Sequence, residues 1–144
     1  MTAYRWGPRC GALDPGAVLF MQDGLGLTSD DVQHMLYEQS GLLGLSGVSN
    51  DVKTLLASPE PAAAFAIDYF AYRTAQQVAA MAVSLGGMDG LIFTGGIGEN
   101  AEAVRSKIQS HLAFLPRFET QVIPANEERA MALEILDRFY GDAP

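Results

Sequence analysis

One stretch decides the fold of this chain: Gly90-Leu91-Ile92-Phe93-Thr94-Gly95-Gly96-Ile97-Gly98-Glu99-Asn100. The apolar run before Thr94 stops at three glycines within four positions, which predicts a strand followed by a tight loop. Asn100 is a favourable N-cap residue, so we expect a helix to begin there. Free N–H groups at such a junction form an anion site. The glycine spacing fits neither the Walker loop nor the dinucleotide fingerprint, and a tight turn that binds nothing explains the local pattern equally well.

The length and composition indicate one compact domain over residues 1–144, with a net charge of −8. An acidic chain without Lys and Arg clusters is a poor partner for a nucleic-acid backbone. No apolar run is long enough to span a membrane, and the first residues lack the apolar core of a signal peptide. A single cysteine, Cys10, excludes an internal disulfide and fits a reducing compartment, so we expect a cytoplasmic protein.

Capping residues and apolar periodicity predict the helices. We expect a short helix capped by Asp14, a second capped within Thr28–Asp31, a third capped by Ser49 or Asn50, and a last one capped by Asn126. A long alanine-rich helix from about Ala62 to Leu85, apolar on most sides, is expected to be largely buried. The helix after Asn100 is expected to reach about Leu115. The glycine-punctuated stretch Gly41–Asn50 is expected to be a loop or a short extended segment.

Strands are few in this pattern. Asp89–Phe93 and Gln121–Pro124 are the two predicted strands, and the helix between them favours a parallel β-α-β arrangement. Two strands leave unpaired edges and an uncovered face. We therefore interpret the chain as part of a larger α/β fold.

Four segments resemble one family in order along the chain. Phe93–Asn100, with Arg105 five residues on, resembles the adenosine-binding loop of the acetate kinases. Gly7–Gly16 resembles the segment that carries their transfer arginine, Leu42–Asp51 resembles a segment next to their nucleotide site, and Ile123–Glu128 resembles a C-terminal motif. Pro8 and Ala12 depart from the residues usual in the family, and many relatives have an arginine where this chain has Lys53.

The resemblance implies a fold and a reaction. It implies part of the C-terminal lobe of the actin-like and sugar kinase (ribonuclease H-like) ATPase fold, helix-rich with few strands. The reaction is the reversible conversion of ATP and acetate to ADP and acetyl phosphate, with Mg²⁺. The family chain is more than twice this length, and its N-terminal lobe, the first strands of its C-terminal lobe and its acyl-binding pocket would precede residue 1. A homodimer or a complementary N-terminal lobe is the implied protein partner.

The resemblance also assigns roles to residues. Arg9 would neutralise the phosphoryl group in transit, because a guanidinium offers fixed donors to phosphate oxygens. Glu127 would be the Mg²⁺ ligand, and Arg105 a structural residue that ties the loop to neighbouring acids. The nucleotide-binding positions are Asp51, Val52, Lys53, Gly96, Ile97, Gly98, Glu99 and Asn100.

Simpler interpretations stand beside these roles. Most arginines near a terminus are surface residues, Asp51 is a good helix-cap acid, and an acid such as Glu127 is favourable in any first helical turn. His34 and His111 lie outside every motif and replace no catalytic histidine.

Two functions remain open from the sequence. The first is a phosphotransferase part that holds the nucleotide, in an acetate kinase or in a relative that uses propionate or butyrate. The second is a truncated, non-catalytic remnant that binds nucleotide weakly or acts as a dimerisation module. In either case we expect negligible turnover from the isolated chain, because this catalysis depends on holding both substrates together.

Overall fold

A computed structural model describes residues 7–140, apart from the side chains of residues 127, 137 and 140. Ten helices and strands follow one another, with a π-helical turn, Phe20–Gly24, after the first. In chain order they are α1 (Pro15–Leu19), α2 (Ser29–Glu38), α3 (Gly41–Ser46), α4 (Val52–Ala57), α5 (Pro61–Leu85), β1 (Gly90–Phe93), α6 (Gly95–Asn100), α7 (Glu102–His111), β2 (Glu119–Val122) and α8 (Glu127–Tyr140). Within this described part, no helix is both long and apolar enough to cross a membrane.

Three predicted helix starts are confirmed by their capping bonds. The Asp14 carboxylate accepts a bond from the Gly16 N–H at 2.7 Å, before α1. Thr28 and Asp31 form a reciprocal capping box at the start of α2. The Asn126 side-chain oxygen accepts from the Arg129 N–H at 3.0 Å, at the start of α8. Short polar side chains therefore set these boundaries where the sequence places them.

Helix α5 is the centre of the fold, and α3, α4 and α7 pack against it. It begins at Pro61 and ends at Leu85, and the C-cap residue Gly86 adopts a left-handed φ of 75°. Its buried face is mostly alanine, which lets the neighbouring helices approach closely, with Ile67 and Phe70 as its largest members. The expectation of a largely buried helix is wrong, because Phe65, Tyr72, Met81, Val83 and Leu85 are exposed.

The sheet has two parallel strands in the described part of the chain, as predicted from the sequence. Gly90 pairs with Glu119 and Phe93 with Val122, and the Ile123 N–H continues the ladder to the Phe93 carbonyl oxygen at 2.9 Å. The second strand starts two residues earlier than predicted. The helix-rich, partial α/β fold class is confirmed.

Two local predictions are wrong. Gly41–Ser46 forms helix α3, not a loop or extended segment, because Leu42 is buried in the core and Gly47 ends the helix with a φ of 62°. The N-cap of α4 is Asp51, not Ser49 or Asn50. The Ser49 hydroxyl instead accepts a bond from the Asp51 N–H, which prepares the cap.

Candidate functional site

The glycine loop of the sequence is the short helix α6, and it follows β1 directly. Gly95 has a φ of 73°, a conformation that suits glycine, and this residue turns the chain out of the strand. Asn100 does not cap the next helix, contrary to the prediction. Its side chain instead donates to the Gly96 carbonyl oxygen at 2.9 Å and closes α6, while Ala101 stands at the N-cap of α7.

Two glycines of this loop differ in the space around them. A Cβ added at Gly96 would meet no atom within 4 Å, whereas one at Gly98 would lie 3.2 Å from the Phe93 carbonyl carbon. The backbone at Gly96 is therefore open to approach by a ligand, and that at Gly98 packs onto the strand. Beside them lies an apolar cleft of about 270 Å³, lined in part by Thr74, Val78 and Ile97.

The Glu99 carboxylate bonds to backbone N–H groups from two parts of the chain. One oxygen, Oε1, accepts bonds from the Gly95 N–H and the Ala125 N–H, each at 2.8 Å. The first bond is within the loop, and the second reaches the segment between β2 and α8. This side chain therefore joins two parts of the chain that are distant in sequence.

Arg105 holds the loop from the α7 side. One of its terminal nitrogens, Nη1, donates to the carbonyl oxygens of Gly98 and Glu99, both at 2.9 Å. The expectation that Arg105 ties the loop down is confirmed, although within the described part of the chain its bonds go to backbone carbonyl oxygens and not to the expected acids. A guanidinium can satisfy two adjacent carbonyl groups at once, as these two distances indicate.

The segment from Asp51 to Lys53 opens α4. The Asp51 carboxylate accepts from the Thr54 N–H at 2.9 Å and from the Thr54 hydroxyl at 2.8 Å, and these bonds lower the pKa of Asp51. Val52 is buried in the core, so its side chain is unavailable to a ligand in this fold. Lys53 lines an open cavity of about 630 Å³ together with Val48 and Ser58.

Arg9 lies where the start of the described chain packs on the junction of α2 and α3. Its guanidinium carbon is 5.5 Å from the centre of the Tyr37 ring, a cation–π arrangement. The backbone on either side is anchored: the Cys10 N–H donates to the Leu36 oxygen at 2.9 Å, and the Ser40 N–H to the Pro8 oxygen at 2.8 Å. The Arg9 backbone is thus held while its side chain rests on an exposed aromatic ring.

Glu127 is the first residue of α8, and its side chain lies outside what the structure describes. Among the described residues, no group of three or more His, Cys, Asp or Glu side chains is arranged to hold a metal ion. A Mg²⁺ ion that arrives with a nucleotide is held largely by phosphate oxygens and water, with one or two protein carboxylates. Glu127 stays the predicted ligand.

The structure brings together some of the predicted site residues and separates others. Gly96–Asn100 form one turn beside α7, whereas Lys53 lines a different cavity and Arg9 rests on Tyr37. Sequence reasoning missed the link from Glu99 to Ala125. A carboxylate within a glycine loop was a signal for it, but no residue pattern indicates its distant partner.

Comparison with known proteins gives a consistent result. A model of the acetokinase family matches residues 3–132. The acetate kinase of Rhodopseudomonas palustris (strain TIE-1) is 48% identical over 109 residues, covering 76% of this chain and 27% of that protein. Two crystal structures superpose well: Porphyromonas gingivalis acetate kinase (TM-score 0.81, 28% identity) and a Francisella tularensis propionate kinase (TM-score 0.80, 35% identity). Each superposition covers 89% of this chain and 39% of the matched kinase chain.

These superpositions place the chain in a class of α/β folds shared with acetate and propionate kinases. More specifically, the chain belongs to the acetokinase family. It spans between about a quarter and two fifths of the length of the relatives it matches.

Proposed function

We propose that this chain carries the nucleotide-binding part of an acetate kinase-type phosphotransferase, which converts ATP and acetate reversibly to ADP and acetyl phosphate. The observation that carries the proposal is the glycine turn, whose backbone is open at Gly96 and braced on both sides by Glu99 and Arg105. A backbone held in place can receive a ligand without a further cost in ordering. Glycine without a Cβ lets that ligand approach closely.

Each predicted site residue has a part in this proposal. Gly96–Asn100 would hold the adenosine end, with Asp51–Lys53 contributing from α4, where Lys53 lines an open cavity. Arg9 would leave the Tyr37 ring to meet the transferring phosphoryl group. Mg²⁺ would neutralise the phosphate charge, and Glu127 would help to place it. The phosphoryl acceptor would be a short-chain carboxylate. Because one of the similar structures is a propionate kinase, propionate is a candidate as well as acetate. A cytoplasmic location belongs to the same proposal.

The second candidate is a non-catalytic remnant that binds nucleotide weakly or serves as a dimerisation module. Exposed apolar side chains favour it. Val83 and Leu85 on α5 are 82% and 78% exposed, and α8 exposes several more. Apolar surface of this extent is typical of a contact with another protein surface. The contact would be a second copy of the chain or a complementary lobe that restores activity.

Calorimetric titration with Mg²⁺-ATP tests the nucleotide role. The wild-type chain is expected to bind, and Gly96→Val to bind at least about tenfold more weakly, because a branched side chain would fill the space a ligand needs. Ala103→Val, on the exposed side of α7, also introduces a valine side chain into a helix but away from the turn, and should bind as the wild type does. A folded wild-type chain that binds no Mg²⁺-ATP would contradict the proposal and favour the dimerisation module.

Turnover is tested separately. We expect no measurable acetyl phosphate from the purified chain with Mg²⁺-ATP and acetate, because the proposed part holds one substrate and not both. Steady production of acetyl phosphate by this chain alone would show that it carries the whole activity.

A further inference from the structure

We propose that Glu99 is a positioning residue that couples the glycine turn to the start of α8. In this arrangement the turn that receives the nucleotide and the segment that leads to Glu127 move as one unit. The inference rests on the proposed function, and it assigns the Glu99 carboxylate a positioning task in addition to the place of Glu99 in the turn that would hold the nucleotide.

The geometry of the carboxylate supports this assignment. A single oxygen of Glu99 accepts both N–H bonds, at 2.8 Å from Gly95 and 2.8 Å from Ala125. Gly95 opens α6, and the first N–H groups of a helix have no partner within it. Bonds from N–H groups to a carboxylate are stronger than those between neutral groups. Glu99 thus satisfies a donor at the start of its own turn and one beyond the second strand.

The second donor lies in a short connection with few other constraints. The strand ladder ends at the Ile123 N–H, which donates to the Phe93 oxygen at 2.9 Å, and Pro124 has no N–H to donate. Helix α8 begins three residues after Pro124, where Asn126 caps it. In the part of the chain that the structure describes, the hydrogen bond from the Ala125 N–H to the Glu99 carboxylate therefore links this connection to the glycine turn.

The backbone of Glu99 is itself fixed. Arg105 on α7 donates to the carbonyl oxygens of Gly98 and Glu99. Glu99 is therefore bonded to α7 through its main chain and to the connection before α8 through its side chain. A shift of the turn caused by a ligand would be transmitted to Ala125. The same link would hold the start of α8 in place when the turn is occupied.

Amide hydrogen exchange at Gly95 and Ala125 tests the link, and Mg²⁺-ATP titration tests its consequence. Glu99→Gln keeps the accepting oxygen, Glu99→Ala removes it, and Glu102→Ala removes a nearby exposed carboxylate as a control. In the ligand-free chain, we expect Glu99→Ala to speed exchange at both amides at least about tenfold, with Gln within about threefold of the wild type. We also expect Mg²⁺-ATP affinity to fall about tenfold in Glu99→Ala and to be restored in Glu99→Gln.

A further readout separates positioning from a general loss of structure. Mg²⁺-ATP should slow exchange at Ala125 in the wild type and in Glu99→Gln, but not in Glu99→Ala saturated with nucleotide. If Glu99→Ala does not fold, Glu99→Asp replaces it, because it keeps the charge and shortens the reach by one methylene group.

The outcomes are distinct. Unchanged exchange at Ala125 in Glu99→Ala overturns the link, and unchanged nucleotide affinity in a variant with faster exchange overturns the positioning role. If Glu99→Gln loses as much nucleotide affinity as Glu99→Ala, the positioning role is also overturned. The negative charge of Glu99, and not its accepting oxygen, would then determine nucleotide affinity. A folded wild-type chain that binds no Mg²⁺-ATP overturns the proposed function, and exchange in the ligand-free variants still decides whether the link exists.

Discussion

Gly98 lies directly against Phe93, so that a Cβ on Gly98 would be 3.2 Å from the Phe93 carbonyl carbon. The glycine turn thus folds back onto the strand that precedes it. Gly98→Ala should lower the free energy of unfolding by about 1–3 kcal/mol, because a backbone atom must give way. Urea unfolding measures the change.

Gly96→Ala is the matched control for that variant, since it adds the same methyl group two residues away into open space. Gly96 lies within α6 and lacks a positive φ, so alanine should raise the free energy of unfolding by about 0.4–1 kcal/mol. Equal destabilisation by both substitutions would contradict the close contact at Gly98.

Asp51 makes the stability of α4 depend on pH. Its bonds to Thr54 hold its pKa in the folded chain below the ordinary value of 3.8. A depressed folded pKa means that the stabilisation is complete above the ordinary value and is lost as the pH falls through the folded pKa. We expect the melting temperature of the wild type to fall more steeply than that of Asp51→Asn as the pH drops below about 5.

Asparagine is the right comparison, because it caps a helix about as well as aspartate but does not titrate. Asp51→Ala, which loses the cap at every pH, should melt a few degrees lower even at neutral pH. Parallel pH profiles for wild type and Asp51→Asn would show that this carboxylate contributes no pH dependence.

Lys107 and Asp68 join α7 to α5 through an exposed ion pair. Their charged atoms are 2.6 Å apart, and the side chains are 45% and 58% exposed. Water and salt screen such pairs, so a double-mutant cycle with Lys107→Ala and Asp68→Ala should give a coupling of about 0.2–1 kcal/mol. In about 1 M NaCl the coupling should shrink. A larger value that salt leaves unchanged would mean that the pair is shielded from solvent.

Ile67 and Val83 test the one-sided burial of α5. Ile67 is 2% exposed within the core, and Ile67→Ala should lower the free energy of unfolding by about 2–5 kcal/mol. Val83 is 82% exposed on the same helix, so Val83→Ala should change it by less than about 0.5 kcal/mol. Denaturant unfolding of both variants distinguishes them. A large loss at Val83 would indicate that another surface covers that end of the helix in solution.

Local chemistry explains what the sequence predicts well. Asp14, Thr28 and Asn126 mark helix starts because a short polar side chain has one dominant use there, and Gly86 ends α5 because few other residues adopt its φ. Parallel strands follow from the intervening helix. The order of helices and strands can therefore be predicted largely from local sequence features.

The errors arise where distant contacts override local preference. Gly41–Ser46 is helical because Leu42 is buried in the core with α5, although its glycines favour a loop. Asparagine is a favourable N-cap residue, but the Asn100 side-chain amide donates to the Gly96 carbonyl oxygen within the same turn. The bond between Glu99 and Ala125 joins residues on either side of α7 and β2, and no periodicity indicates such a pairing.

The parallel pairing of β1 with β2 has a consequence for the order of folding. The two strands are separated in sequence by all of α6 and α7, so their ladder closes a long segment and carries a large entropy cost. Docking α7 on α5 first would shorten that search. We therefore expect Val104→Ala in α7 to slow refolding, and Thr120→Ala in β2 to accelerate unfolding while leaving the refolding rate nearly unchanged. In kinetic terms, we expect the helices to form the nucleus of this fold and the strand pair to form last.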